Sequence, residues 1–177
     1  MKKQFFLLIL SLALFTVQAQ ETAPKSKKQI KAAEQLKKAE ETDRLLNSRN
    51  FVFRARQASP TGGGNIQLDF YFDAAIRGDT LVSYLPFYGV AYRADYASHQ
   101  SPFHFTQPIE NYRMEKEKKG YLIHAEVKNG MDYLTYTFRV SGSGYASLTV
   151  TSTNRQTISY NGVVEPAGEV SKEKANR

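Results

Sequence analysis

The sequence predicts a mainly β protein, an antiparallel sandwich or up-and-down barrel of about eight strands preceded by one N-terminal α-helix. Apolar residues recur at every second position through much of the chain from Phe51 to Val164, which is the period of a half-buried strand. The segments with this period are short, and most are joined by turns that contain Gly, Asn or Asp. After Asn50 no strand pattern alternates with a helix pattern, as a parallel sheet would require.

Residues 1–19 have the pattern of a secretory signal peptide. Lys2 and Lys3 precede a mostly apolar run of thirteen residues, Phe5 to Val17, and Val17-Gln18-Ala19 has small or short residues where signal peptidase cleaves. A membrane-spanning helix needs about 20 apolar residues, so this run is too short for an anchor. We expect cleavage near Ala19 and a soluble mature chain that is periplasmic or secreted. It is not a lipoprotein, because the chain has no Cys.

Composition excludes several classes of site. Without Cys there are no disulfides, thiolate nucleophiles or Cys-ligated metals, and nothing in the sequence indicates a cofactor. The formal net charge of +7 comes largely from the N-terminal region, since residues 25–50 hold eight basic and four acidic residues. Residues 51–164 hold eleven basic and nine acidic residues, so the globular part is nearly neutral. We therefore expect no nucleic-acid partner.

Residues 20–50 are predicted to form a linker and a basic amphipathic helix. Ser26-Lys27-Lys28-Gln29 is a capping-box pattern, and good helix formers continue to about Asn47. A thin apolar face predicts that the C-terminal half of the helix rests on the β domain; its members are Ala32, Leu36, Ala39 and Leu46. The segment from Lys25 to Lys38 should be solvated, or should contact a membrane surface or a protein partner weakly.

The β domain is expected over residues 51–165, with a flexible tail over 166–177. Its first two strands follow from alternation around Phe51 to Arg56 and from Ile66 to Asp73, with a hairpin connection at Thr61 to Asn65. Arg77-Gly78-Asp79, Asn129-Gly130 and Ser141 to Gly144 have the composition of tight turns. They separate further predicted strands at Thr80 to Leu85, Asn111 to Lys118, Tyr121 to Lys128, Tyr133 to Val140, Tyr145 to Ser152 and Thr157 to Val164.

The segment Tyr84 to Phe105 is the one place where turns do not join the strands. It contains seven aromatic residues, two prolines and a glycine, and long irregular connections in compact domains are usually functional. Two interpretations stay open: the aromatics close the core as a plug, or they contact a ligand. The candidate ligand-binding residues are Tyr84, Tyr88, Tyr92, Arg93, Tyr96 and His104.

Signals for catalysis and metal binding are weak, and we assign no catalytic residue and no metal ligand. His99 and His104, with Asp95, have no spacing that aims them at one ion. Asp69 and Asp73 alternate on one face of the predicted strand, as paired carboxylates of a hydrolase could. Hydroxyl residues alternate with apolar ones from Thr135 to Ser159, which indicates a solvated sheet face or a hydroxyl-lined barrel cavity.

Three stretches of the sequence together resemble a known family. Leu85-Pro86-Phe87-Tyr88-Gly89-Val90-Ala91-Tyr92 is followed downstream by Gly144-Tyr145-Ala146-Ser147-Leu148 and by Asn154-Arg155-Gln156-Thr157-Ile158-Ser159-Tyr160-Asn161-Gly162. In this order they resemble the exported bacterial proteins of the domain-of-unknown-function family numbered four-two-five-one. The resemblance implies an exported domain reaching to about Glu165, and it supplies no activity, substrate or cofactor. The family-motif residues are Leu85, Pro86, Gly89, Asn154, Arg155, Tyr160 and Gly162.

Three functions remain compatible with these patterns. The first is an exported non-enzymatic β domain that binds a small molecule or an envelope component through the aromatic segment. The second is a structural envelope protein that engages a partner or an anionic surface through its basic helix. The third, with less support, is a hydrolase.

Overall fold

The computed structural model describes residues 26–93 and 101–168. One helix, α1, comprises Lys27–Asn47. The strands are β1 (Asn50–Pro60), β2 (Ile66–Gln67), β3 (Asp73–Arg77), β4 (Thr80–Leu85), β5 (Phe103–Glu117), β6 (Gly120–Asn129), β7 (Asp132–Ser141), β8 (Tyr145–Ser152) and β9 (Ile158–Pro166). The predicted signal peptide and most of the predicted tail lie outside the described residues. No helix in the described part of the chain is long and apolar enough to cross a membrane.

The strands form a closed antiparallel barrel, which decides between the two predicted architectures. From β3 to β9 each strand pairs with the next along the chain, and β1 pairs with both β3 and β9. This closes eight strands into an up-and-down barrel, and β2 adds a short ninth strand beside Gln57 and Ala58 of β1. A β-bulge between Ala55 and Gln57 shifts the register where β1 meets β9.

Side chains fill the barrel interior. Its largest buried side chains include the aromatic rings of Phe51, Phe53, Tyr136, Phe138 and Tyr160, and Phe51 and Phe53 both pack edge-on against Phe138. An eight-stranded barrel is just wide enough for side chains to fill it. Burial raises the pKa of the Tyr136 and Tyr160 phenols. The alternating hydroxyl residues lie on the outer face, because the apolar residues between them are buried, so the solvated-face interpretation is the right one.

The chain divides into two compact units after Glu34, within α1. In the first unit the predicted capping box forms: the Gln29 side chain accepts from Ser26 N–H, and Ser26 Oγ accepts from Gln29 N–H. In the second unit Leu46 is fully buried in the core, and Thr42 donates to the carbonyl of Gly142 at 3.2 Å. Residues 26–38 are exposed, as expected of the lysine-rich half.

The helix face that contacts the barrel starts later than the sequence pattern indicates. Leu36 is 66% exposed, and the covered residues are Ala39, Thr42, Asp43, Leu45 and Leu46. Asp43 accepts hydrogen bonds from the Tyr121 hydroxyl and from Lys116, and these contacts, the Tyr121 bond first, lower the pKa of its carboxyl. The acidic residue that interrupts the apolar face is therefore itself a docking contact.

The prediction of a strand from Ile66 to Asp73 is wrong. Within that range only Ile66–Gln67 pairs as β2, and Asp73 already belongs to β3. Both short strands pair with β1 at different positions along it, and residues 68–72 cross from one position to the other. Strand β3 was missed, since its Ala and Asp residues have low β propensity. Strand β5 begins at Phe103, eight residues before its predicted start, and contains Pro108 beside the irregularity between Ile109 and Asn111.

Candidate functional site

A row of side chains crosses four adjacent strands on the outer face of the barrel. Arg54 of β1 lies opposite Asp73 of β3, which lies opposite Tyr84 of β4, which lies opposite His104 of β5. Arg54 Nη1 donates to Asp73 Oδ2 at 2.9 Å. The rings of Tyr84 and His104 stack with centroids 4.0 Å apart and planes 19° apart. Strand register thus brings two of the predicted ligand-binding residues into direct contact.

Two more rings extend this stack into an aromatic platform, comprising Tyr71, Phe72, Tyr84 and His104. Phe72 lies nearly parallel to Tyr84, with centroids 5.7 Å apart. Tyr71 is tilted against both, 4.6 Å from Phe72 and 6.3 Å from Tyr84. Tyr71 is 50% exposed and Tyr84 38%, and Phe70, next along the chain, is 91% exposed. Clustered exposed aromatics of this kind mark interaction surfaces.

The platform has polar groups at its margin. The Tyr71 hydroxyl donates to Asp69 Oδ2 at 2.9 Å, and this bond raises the pKa of the Tyr71 phenol. Burial lowers the pKa of His104, which favours the neutral form of its imidazole. The buried Nε2 of His104 has no hydrogen-bond partner among the described residues. Two carboxylates lie beside the rings: Asp69 accepts from Tyr71, and Asp73, paired with Arg54, lies opposite Tyr84.

His104 also lines a polar cleft of about 240 Å³. The cleft lies where the β6–β7 turn meets the residues after β8, and its lining includes Arg93, Ser101, Asn129, Asp132, Asn154 and Arg155. Arg155 forms an ion pair with Asp132, and both side chains are largely buried, at 13% and 7% exposure. Because His104 belongs to both, the platform and the cleft adjoin one another.

The first part of the aromatic segment is fixed to the barrel by hydrogen bonds. The Tyr160 hydroxyl donates to Pro86 O at 2.6 Å. Val90 N–H donates to the Gln156 side chain, and Gln156 N–H donates to Val90 O. The backbone amides of Tyr92 and Arg93 donate to Asn154 O. The first and the last of the family-motif stretches, Leu85 to Tyr92 and Asn154 to Gly162, therefore contact each other.

The plug interpretation holds for part of the aromatic segment, and other tyrosines of the segment are exposed. Leu85 is fully buried, and Phe87 packs edge-on against Phe103 of the core, so these two act as a plug. Tyr84, Tyr88 and Tyr92 are exposed, at 38%, 36% and 67%.

The candidate residues separate into groups. Tyr84 and His104 meet in the platform, and Arg93 and His104 meet in the cleft. Tyr96 lies outside the described residues. Sequence reasoning missed Tyr71 and Phe72, because it placed them in a strand. The run Phe70-Tyr71-Phe72 was the available signal, since three consecutive aromatic residues cannot all face one side of a strand.

Glycine is required at one of the motif positions. A Cβ at Gly162 would lie 1.9 Å from the carbonyl oxygen of Arg54, where β9 crosses β1 at the bulge. Only a residue without a side chain permits this approach. Closure of the barrel between β1 and β9 therefore requires glycine at position 162.

The carboxylates considered for hydrolysis are not paired on one strand. Asp69 precedes β3 and bonds to Tyr71, whereas Asp73 lies in β3 and bonds to Arg54. That prediction failed because the strand proposed to carry both does not form. His99 and Asp95 lie outside the described residues. Within residues 26–93 and 101–168 no group of three His, Asp or Glu residues could hold a metal ion.

Comparison with known proteins gives a family and a fold. A family model described as "Domain of unknown function (DUF4251)" matches residues 33–164. A crystal structure of a DUF4251 family protein from Bacteroides eggerthii is similar, with a TM-score of 0.56 and 13% sequence identity. The match covers 76% of this chain and 91% of that one. No curated protein matches the chain.

Proposed function

Because the chain belongs to DUF4251, a family of unknown function, its own residues have to indicate its role, and we propose that it is a non-enzymatic saccharide-binding domain. The aromatic platform would be the contact surface. The observation that carries this proposal is the set of stacked rings on the outer face of the barrel, of which Tyr71 and Tyr84 remain half exposed.

An open platform suits a ligand that is apolar on one face and hydrated on the other. Sugar rings have this character, since C–H groups cover one face and hydroxyls line the edge. Tyr rings offer a matching apolar body with a polar tip. Asp69, oriented by the Tyr71 hydroxyl, adds an acceptor for ligand hydroxyls at the margin. A wholly apolar small molecule would instead favour an enclosed pocket that buries most of its surface.

The barrel interior supports the choice of an outer surface. Aromatic side chains occupy it, and the buried Tyr136 hydroxyl is satisfied by Ser83 at 2.9 Å. A packed interior at native density has no room for a ligand. Binding is therefore proposed for the platform and not for the barrel lumen.

A binding screen tests the proposal. The mature chain would be titrated with cellotetraose, xylotetraose, chitotetraose and trigalacturonic acid, and binding followed by calorimetry. At least one of these should bind the native chain and lose most of its affinity in the Tyr71→Ala, Tyr84→Ala double variant. The Tyr71→Ala single variant keeps the Tyr84–His104 stack and serves if the double variant folds poorly.

A matched control distinguishes the loss of the platform tyrosines from the loss of any two exposed tyrosines. Tyr133 and Tyr145 are 52% and 67% exposed and lie outside the platform, so a Tyr133→Ala, Tyr145→Ala variant should bind as the native chain does. Equal loss in both double variants would contradict the proposal, as would no binding to any saccharide. Concentration-dependent self-association through the platform would instead identify a protein interface.

The signal-peptide pattern of residues 1–19 supports an exported location, and export is part of the proposal. A second role has one supporting observation: residues 26–38, which include five lysines, are exposed. This segment would then hold the domain weakly on an anionic membrane surface. Sedimentation with vesicles containing 30% anionic lipid tests it; binding should weaken with salt and should be lost when the lysines become glutamine.

A further inference from the structure

The polar cleft beside the platform has a definite chemical preference. Its one carboxylate, Asp132, is already fully used by the protein. Five donor groups reach it: Ser152 Oγ, Thr153 N–H, Thr153 Oγ1, Asn154 N–H and the Arg155 guanidinium. A carboxylate has about four lone-pair sites, so Asp132 has no capacity left to accept from a ligand.

The serine and asparagine side chains of the cleft are held by the protein as well. Each directs a donor to a backbone carbonyl of the protein itself: Asn129 to Pro102 at 3.3 Å, Asn154 to Met131 at 3.3 Å, and Ser101 to Leu85 at 2.6 Å. Asn129 Oδ1 in turn accepts from Gln107. These side chains are engaged in hydrogen bonds to the protein itself, so they are poorly placed to recognise a ligand.

The positively charged donors of the cleft belong to arginine. Arg155 has five N–H groups, of which the bond to Asp132 uses one, and that ion pair holds the guanidinium in place. Arg93 also lines the cleft, and among the described residues no carboxylate pairs with it. The described cleft thus offers two guanidinium groups against one saturated carboxylate. Guanidinium groups bind carboxylates in a matched planar geometry.

From this we propose that the cleft binds a carboxylate, so that the domain selects acidic saccharides over neutral ones. The inference rests on the proposed function: a sugar ring lies on the platform, and its carboxylate reaches past His104 toward Arg93 and Arg155. The position of His104 in both the platform and the cleft makes a single ligand able to span them. Uronic acids and hexosamines with a carboxy-ether substituent share the required chemistry.

A matched pair of ligands isolates the carboxylate. Trigalacturonic acid and its methyl ester have the same ring faces and differ in charge, so their affinities for the full mature chain would be compared by calorimetry. The acid should bind about tenfold or more tightly. Its affinity should fall as salt is added, while that of the ester stays constant. An N-acetylmuramic-acid disaccharide against diacetylchitobiose distinguishes the second source of the carboxylate.

Variants assign the preference to the cleft. Arg93→Gln is an exposed substitution and should remove most of the advantage of the acid over the ester. Arg155→Lys keeps the charge beside Asp132 but loses the fork geometry, and should reduce the same advantage. Arg139→Gln changes the net charge equally near the other end of β7, outside the cleft lining, and should have no effect.

The outcomes separate this inference from the proposed function. Equal affinity for acid and ester, both lost in the Tyr71→Ala variant, would overturn the carboxylate cleft and leave the platform standing. A preference for the acid that survives Arg93→Gln and Arg155→Lys would also overturn it. Absence of binding by every saccharide would overturn both.

Discussion

The Tyr160 hydroxyl donates a hydrogen bond of 2.6 Å to the carbonyl oxygen of Pro86, and so joins the buried face of β9 to the start of the aromatic segment. Tyr160 is fully buried, so its hydroxyl would be costly to leave unpaired. This contact is one of several that hold the chain where it leaves β4. It also links two residues that the family motif holds in separate blocks.

Replacing Tyr160 by Phe should therefore loosen the segment. The Pro86 carbonyl loses its partner, and we expect about 1–2 kcal/mol lower stability in denaturant unfolding. Amide exchange at Val90 and Tyr92 should accelerate more than exchange in β7. Tyr145→Phe, at a 67% exposed position, is the control and should change neither. Unchanged exchange in Tyr160→Phe would show that other contacts hold the segment.

Gly162→Ala should impair closure of the barrel. The new methyl group would lie 1.9 Å from Arg54 O, and the β1–β9 pair must separate to admit it. Overpacking of this kind costs roughly 1–3 kcal/mol. Gly62→Ala is the matched change, because no atom lies within 4 Å of its Cβ position. Similar midpoints for the two variants in thermal unfolding would contradict a closure role for Gly162.

The contact between α1 and the barrel depends on Leu46. Leu46→Ala should lower the free energy of unfolding by about 2–5 kcal/mol, because it empties a fully buried site. Leu36→Ala, on the same helix but 66% exposed, should stay within about 0.5 kcal/mol of the native chain. If both variants unfold like the native protein, the helix is not part of the cooperative fold.

Stability should depend on pH through His104. Burial lowers the pKa of His104 in the folded state below the unfolded value of about 6.5. At a pH between the two pKa values, His104 is therefore protonated more in the unfolded state than in the folded state. Stability should thus be full above about pH 7 and fall as the pH drops through 6.5, until the folded pKa is passed. His104→Phe keeps a ring against Tyr84 and should flatten the change between pH 7.5 and 5.5. The same slope in both proteins would assign it to other groups.

Much of the fold was predictable because its determinants are local. Alternation with tight turns located β4 and β6 to β9 within a residue or two, and Ser26 with Gln29 marked the start of the helix. Closure was not predictable, since the bulge in β1 and the approach of Gly162 to Arg54 join residues far apart in sequence.

Only part of the candidate site could be predicted from the sequence, because its contacts join residues from different strands. Tyr84 and His104 were recognised individually as candidates, but their stacking depends on the register of β4 against β5. Phe72 and Tyr71 join them only because β2 ends early and the chain crosses back to β3. A sequence pattern gives the period of each strand, whereas the platform depends on which strands are neighbours.

Saccharide binding at the aromatic platform is tested most directly by locating the bound saccharide on the protein by NMR. Ring resonances would be followed as the best-binding oligosaccharide of the screen is titrated into the mature chain. If the platform binds the saccharide, chemical-shift changes should concentrate on the rings of Tyr71, Phe72, Tyr84 and His104. The ring resonances of Tyr133 and Tyr145 should stay unchanged. Shifts confined to Tyr133 and Tyr145, or to the resonances of α1, would contradict it.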